Sequence, residues 1–202
     1  GVFILWLGWF GFNPGSTLGL GDPDLVAHIF LTTNGAAAAG GIATLIITWI
    51  RYGKPTFSMT LNGVLAGLVA ITAGCDVVTP GGAILIGLMA GVLVVFSVEL
   101  IDRKLKVDDP VGAVSVHGVC GAFGTLMVGF FSADATLPGL FYGGNAGVLV
   151  SQTVGVLAIA AWAAIAGSAL FSTLRYTMGI RVSSREEEIG LDYFEHGEKA
   201  YN

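Results

Sequence analysis

Apolar runs about twenty residues long recur six times along this chain, and no other feature limits its fold so severely. They cover about residues 2–20, 25–50, 57–75, 81–102, 111–132 and 145–174. Crossing a hydrocarbon core ~30 Å thick takes ~20 mainly apolar residues. The last run exceeds that length and can tilt or project from the bilayer. Backbone polar groups cannot stay unpaired in lipid, so each run is expected to be a helix. The period-two alternation of a membrane barrel is absent. The expected fold class is an all-α membrane protein with six transmembrane helices in a lipid bilayer. Composition agrees, with 54% hydrophobic and 11% charged residues among 202.

Basic residues set the expected orientation. Arg51 and Lys54 follow the second run, and Arg103, Lys104 and Lys106 follow the fourth. Arg175, Arg181, Arg185 and Lys199 follow the sixth. The other inter-run loops carry Asp22, Asp24, Asp76 and Asp134 and no Lys or Arg. The positive-inside rule places the even connections and the C-terminus in the cytoplasm. With six crossings, residue 1 starts on that side too. The expected domains are a transmembrane region over 1–180 and a polar, acidic cytoplasmic tail over 181–202. Most of the acid behind the net charge of −5 sits in that tail.

Small residues and breakers organise the runs. The 31 glycines suit close helix packing in a membrane. The stretch Gly35–Gly41 is expected to be a packing surface, and Gly118, Gly121 and Gly124 a second. Thr79-Pro80 has the form of an N-cap followed by proline at the first helical position, and Asp109-Pro110 repeats it. Glu99 and Arg103 stand four apart and are expected to pair. Cys75 and Cys120 are expected at different depths, which argues against a disulfide. No nucleophile–base pair, metal-ligating cluster or phosphate loop is visible, and nothing supports nucleic-acid binding. No enzymatic activity, cofactor or metal is expected.

His117 shares residues 110–131 with one other ionisable group, the Cys120 thiol. Counted from Asp109 it lies ~12 Å into its helix, near the bilayer midplane. An ionisable group at that depth normally faces a bundle interior or a cavity. A structural histidine bonded to a neighbouring helix is the alternative. Neutral imidazole accepts one hydrogen bond and donates another, which suits a small polar molecule with N–H groups. It suits a bare alkali ion poorly, because one nitrogen cannot replace a hydration shell. Trp6, Trp9, Phe10 and Phe12 cluster at the outer end of the first run. They read as an interfacial belt or as an aromatic mouth that attracts a small cation. Ser16, one turn beyond Phe12, adds a hydroxyl acceptor. His28 is expected at the interface and His196 in solvent.

Four stretches resemble one family. WFGFNPGS (9–16), ITAGCDVVTPGGA (71–83), VDDPVGAVSVHGVCGAFGT (107–125) and GLDYFEHGEKAY (190–201) are similar to the ammonium transporters, on the Amt branch rather than the related Rh branch. The resemblance implies a fold of eleven helices whose sixth to eleventh correspond to this chain. It implies a homotrimer in the plasma membrane, with a pore in each protomer between two inverted five-helix repeats. It implies that His117 is one of two pore histidines, that Phe12 is one of two stacked gate rings, and that Ser16 belongs to an outer ammonium site. Asp109 corresponds to an acidic residue at the inner end of the histidine helix, read here as a helix cap. The tail resembles a segment that couples protomers and meets PII-type regulatory proteins. The first five helices have no counterpart here, so the chain is expected to be a piece of a longer protein, with a first half on a separate chain as the alternative. The implied function is passage of ammonium or ammonia. An ammonium sensor of the same fold and a Rh-like neutral ammonia channel are the alternatives.

Overall fold

The computed structural model describes residues 1–199, so the last three tail residues, 200–202, lie outside the described residues. Residues Gly1–Val156 form one compact unit, and the residues from Leu157 onward form a second. Among the described residues the chain is helical, with a single antiparallel bridge between Val78 and Ser132. The main helices are α1 (Val2–Phe12), α2 (Pro23–Tyr52), α3 (Phe57–Thr72), α4 (Pro80–Val98), α5 (Cys120–Phe131) and α6 (Gly147–Thr177). A short α7 (Ser184–Ile189) lies in the tail. One expected run corresponds to each of the six main helices.

Among the described residues four segments are long and apolar enough to cross a membrane: Pro23–Tyr52, Pro80–Lys104, Val114–Phe131 and Gly147–Thr177. The first and third expected spans are shorter helices than the sequence suggests. The first run stops at Phe12, where Asn13 leads into a 3₁₀ turn, Pro14–Thr17, and Leu18 takes a left-handed conformation at φ 58°. Pro14 cannot donate the next α-helical hydrogen bond, which accounts for the break. α3 ends at Thr72 ahead of the turn that carries Cys75.

Local signals explain the helix ends. The Asp22 carboxylate accepts from the Leu25 N–H at 3.0 Å, with Pro23 at the first helical position. Thr79 accepts from the Gly82 N–H at 3.2 Å ahead of Pro80, as its sequence predicts. Asp109-Pro110 behaves differently. Residues 109–112 form a turn closed by Gly112 N–H donating to the Asp109 carbonyl at 3.0 Å, with Gly112 at φ +73°. Helical structure begins only near Ala113, so Pro110 is a turn residue and not the first helical one.

Among the described residues three stretches are π-helical: Glu99–Lys104 after α4, Val114–Val119 ahead of α5 and Asp192–His196 in the tail. Each wider turn shifts which side chains share a face. Glu99 therefore does not pair with Arg103. It meets Arg51 at 2.7 Å and accepts from the Tyr52 hydroxyl at 2.6 Å, while the Arg103 guanidinium sits 5.7 Å from the Tyr52 ring centroid.

α2 is the hub of the first unit, and small residues let its neighbours approach. A Cβ on Gly67 of α3 or Gly87 of α4 would overlap the Ala36 carbonyl of α2. The expected Gly35–Gly41 surface is thus a real contact. The Thr44 hydroxyl donates to the Gly91 carbonyl at 2.7 Å, joining α2 to α4, and Thr32 donates to the Cys75 carbonyl at 2.7 Å. Close backbones joined by hydroxyl bonds are how helices associate without a hydrophobic drive. The Gly118, Gly121 and Gly124 stripe is not one surface. A Cβ on Gly124 would overlap the Ala70 carbonyl, whereas Gly118 meets only Val114 at ordinary contact. Cys75 and Cys120 are both free and buried.

In the second unit the tail has its own local order. Ser183 and Glu186 form a reciprocal capping box at the start of α7, and Arg181 pairs with Glu187.

Candidate functional site

The residues singled out in α1 and near α5 meet at one cleft. Trp9, Phe12, Val69, Thr72, Ala73, His117, Gly121 and Thr125 line an open space of roughly 410 Å³. Three elements build it: the end of α1, the end of α3, and the π-turn with the start of α5.

α1 supplies the aromatic wall. Trp9 and Phe12 meet edge to face, with ring centroids 5.9 Å apart and planes at 84°. The Trp9 Nε1–H donates to the Thr72 hydroxyl at 2.9 Å, and that hydroxyl donates to the Leu68 carbonyl at 2.7 Å. The indole is thereby locked against α3. Phe12 keeps more freedom, at 58% exposed. Asn13, buried, holds the corner after α1 by donating to the Thr33 hydroxyl at 3.1 Å.

Ser16 does not line this cleft. It is exposed, and its hydroxyl donates to the Phe12 carbonyl at 2.7 Å. The bond uses its proton and leaves oxygen lone pairs free to accept. Ser16 and Phe12 are thus parts of one turn, with the hydroxyl outside the cleft that Phe12 lines.

His117 differs from its sequence expectation in two respects. It sits in the π-turn, three residues after Val114, and not two turns inside an α-helix. The 109–112 turn consumes the residues that the depth estimate counted as helical. It is also exposed within this chain, on the cleft side. Among the described residues its ring makes no hydrogen bond. Gly121 and Thr125 follow at four-residue steps and share its face. Helical periodicity from His117 was the signal that could have found them. The Thr125 hydroxyl donates to the Gly121 carbonyl at 3.0 Å, which leaves its lone pairs available. Thr72 had no comparable signal, because its place depends on how α1 lies on α3.

Asp109 stands behind this wall. It is 5% exposed, and its carboxylate accepts from the Val114 N–H at 3.1 Å and the Ser115 N–H at 3.2 Å. The carboxylate thus reaches helix-start N–H groups from five and six residues upstream. His28 is half-buried and lies 3.0 Å from the Val78 carbonyl through Nε2, away from the cleft lining.

The chemistry available in the cleft is limited. It offers ring faces, hydroxyl lone pairs and one imidazole, and no carboxylate lines it. Among the described residues no group of three or more His, Cys, Asp or Glu could hold a metal ion. A small solute with N–H groups finds acceptors and π faces there.

Long apolar helices around a cleft of that make-up mark a helical membrane protein with a site for a small solute. Residues 1–201 match the model of the Ammonium Transporter Family, and the chain belongs to that family. It is 44% identical to ammonium transporter Amt2 of Archaeoglobus fulgidus, across 100% of this chain and 44% of that protein. It is 37% identical to an ammonium transporter of Bacillus subtilis, across 100% of this chain and 50% of that protein. The chain thus spans about half the length of the curated relatives it matches. Among solved structures, one titled a sensor Amt protein superposes with TM-score 0.88 at 38% identity, over 96% of this chain and 47% of that one. Mep2 of Saccharomyces cerevisiae superposes with TM-score 0.81 at 29% identity, over 91% of this chain and 43% of that one.

Proposed function

We propose that this chain supplies one wall of a pore that passes ammonium or ammonia across the plasma membrane, as the sixth to eleventh helices of a longer transporter. The observation that carries this reading is that Phe12 and His117, far apart in sequence, line the same cleft. In this reading Ser16 recruits ammonium at the outer entrance through its free lone pairs. Phe12 is the gate, an aromatic ring with room to move. His117 accepts from or donates to the cargo beyond the gate. Its exposure in this chain fits a pore whose other wall comes from the missing repeat, at the interface of two inverted repeats. Loss of water in an apolar passage favours the neutral species, and an imidazole is suited to relay the proton that is left. Measuring the charge moved per nitrogen separates net ammonium transport from ammonia with a separate proton.

The test is flux in vesicles containing the intact protein, with ammonium, methylammonium and potassium compared. His117→Ala is expected to change rate or selectivity, and Phe12→Ala to loosen discrimination. Unchanged ammonium flux together with unchanged rejection of potassium would sink the reading.

The proposed assembly is a homotrimer with its C-terminus in the cytoplasm, supported by the basic residues after α2, α4 and α6. Residues 181–202 are the proposed regulatory tail, with a PII-type protein as partner. Deleting them is expected to weaken regulation more than membrane insertion. Sensing is the second reading, favoured by the likeness to a structure titled a sensor Amt protein. A protein that binds ammonium with no net flux would support it.

A further inference from the structure

We propose that Asp109 is a positioning residue for His117: its buried carboxylate anchors the π-turn Val114–Val119 and so fixes the face on which the imidazole stands. The proposal rests on the reading of His117 as a pore residue.

Two anchors bound the turn. Downstream, α5 is held where a Cβ on Gly124 would overlap the Ala70 carbonyl of α3. The buried Cys120 thiol points to the Ala90 carbonyl of α4, with Sγ 3.9 Å from the oxygen. Upstream, the two Asp109 oxygens take the Val114 N–H, the Ser115 N–H and the Ser115 hydroxyl at 3.1, 3.2 and 3.3 Å. Asn62 of α3 adds a second clamp by donating to the Val111 carbonyl at 3.1 Å. Gly112 is required beside it, since its φ is +73° and a Cβ would lie 2.7 Å from the Asn62 Nδ2.

The chain between the anchors carries one residue more than an α-helical turn holds, and the π-turn absorbs it. Turns of this kind occur mostly as single wide turns, frequently at functional sites. Each residue of an α-helix advances ~100° around the axis. With the upstream anchor released, the turn can expel its extra residue and relax to α geometry. His117 then rotates by ~100° relative to α5, off the face that Gly121 and Thr125 share with the cleft.

A buried carboxylate with no ion-pair partner among the described residues is costly. A cluster of helix-start N–H groups offsets that cost, because their partial positive charge favours an anion. A neutral cap could satisfy one of those donors. Two carboxylate oxygens satisfy two adjacent N–H groups and a hydroxyl together, which is what fixing the turn requires.

The experiment is a double-mutant cycle in the intact protein, reconstituted in vesicles and scaled to the amount of folded protein. Asp109→Ala, His117→Ala and the double variant are compared for ammonium turnover, half-saturation and the pH profile of flux. Misplacing a reacting group by ~1 Å can cost ~100-fold, so a loss on the order of tenfold in turnover is expected for Asp109→Ala. Half-saturation is expected to stay within about twofold, and the pH profile to shift as it does in His117→Ala. In the His117→Ala background, Asp109→Ala is expected to add little further loss, because coupled sites are not additive. Asp109→Asn keeps one oxygen acceptor and is expected to fall between Asp and Ala; it carries the cycle if the Ala variant does not fold. An Asp109 penalty of equal size with and without His117 overturns the positioning role while leaving the pore reading intact. A His117→Ala protein with normal rate, selectivity and pH profile overturns the pore reading itself.

Discussion

Gly87→Ala puts the close packing of α2 and α4 to a numerical test. The added Cβ would lie 2.3 Å from the Ala36 carbonyl oxygen, where ordinary contact begins at 3.4 Å, so the helices must part by the difference, ~1.1 Å. Backbone cannot swing aside as a flexible side chain can. Overpacking of that kind costs about 1–3 kcal/mol. The same movement stretches the Thr44–Gly91 bond from 2.7 Å to about 3.8 Å, beyond hydrogen-bond distance. Interhelical bonds in membranes are worth about 0.6 kcal/mol on average. The sum is about 1.6–3.6 kcal/mol, which corresponds to an apparent Tm lower by roughly 3–14 °C for a chain of this size. Gly155→Ala is the matched control, because a Cβ there meets nothing within 4 Å. It is expected to be neutral or slightly stabilising, since alanine favours a helix interior over glycine. The assay is thermal unfolding of purified protein in one detergent, followed by loss of monodispersity. Equal Tm values for the two variants would refute the claim that backbone contact at Ala36 sets the helix spacing.

Three further outcomes are expected. Arg51→Ala and Glu99→Ala are expected to be weakly non-additive in a double-mutant cycle, as for a solvent-screened pair; strictly additive effects remove the Arg51–Glu99 tie between α2 and the end of α4. The Asp134 carboxyl lies below the usual value, because the Thr136 hydroxyl and then the Leu137 and Thr136 N–H groups bond its charged form. Order in the 134–137 turn is therefore full above the ordinary Asp range near ~4 and disappears as pH falls through the lower folded value. Amide exchange at Leu137 measured from pH 6 to 2 checks this, and protection lost already above pH 5 contradicts it. In the tail, Ser183→Ala removes half of the capping box and is expected to speed amide exchange at Glu186 roughly fivefold, with no change in the membrane unit; unchanged exchange refutes the cap.

The six apolar helices were legible in the sequence because apolar length and breakers are local properties. Their ends were less so. Thr79-Pro80 behaves as its residues suggest, but Asp109-Pro110 looks the same in sequence and makes a turn instead. Asn62 of α3 and the left-handed Gly112 decide that outcome; Gly112, at the end of the same four-residue turn, was a local signal, whereas Asn62 lies in another helix. The aromatic cluster, Ser16, Asp109 and His117 were all chosen from sequence, since an ionisable or aromatic group stands out in an apolar run. Which of them share a cleft was not legible.

Sequence alone determined that this chain is helical and apolar, and the resemblance to ammonium transporters rests on its motifs. Only the tertiary structure decided that Phe12 and His117 line one cleft while Ser16 stays outside it, and that Trp9 is locked to Thr72. Only the structure placed Glu99 on Arg51 and showed the π-turns at Glu99–Lys104 and Val114–Val119. The physical reason is register. One extra residue in a turn rotates everything beyond it by ~100°. That rotation is set by contacts between helices, such as Gly124 on Ala70 and Asn62 on Val111, which a linear pattern does not contain.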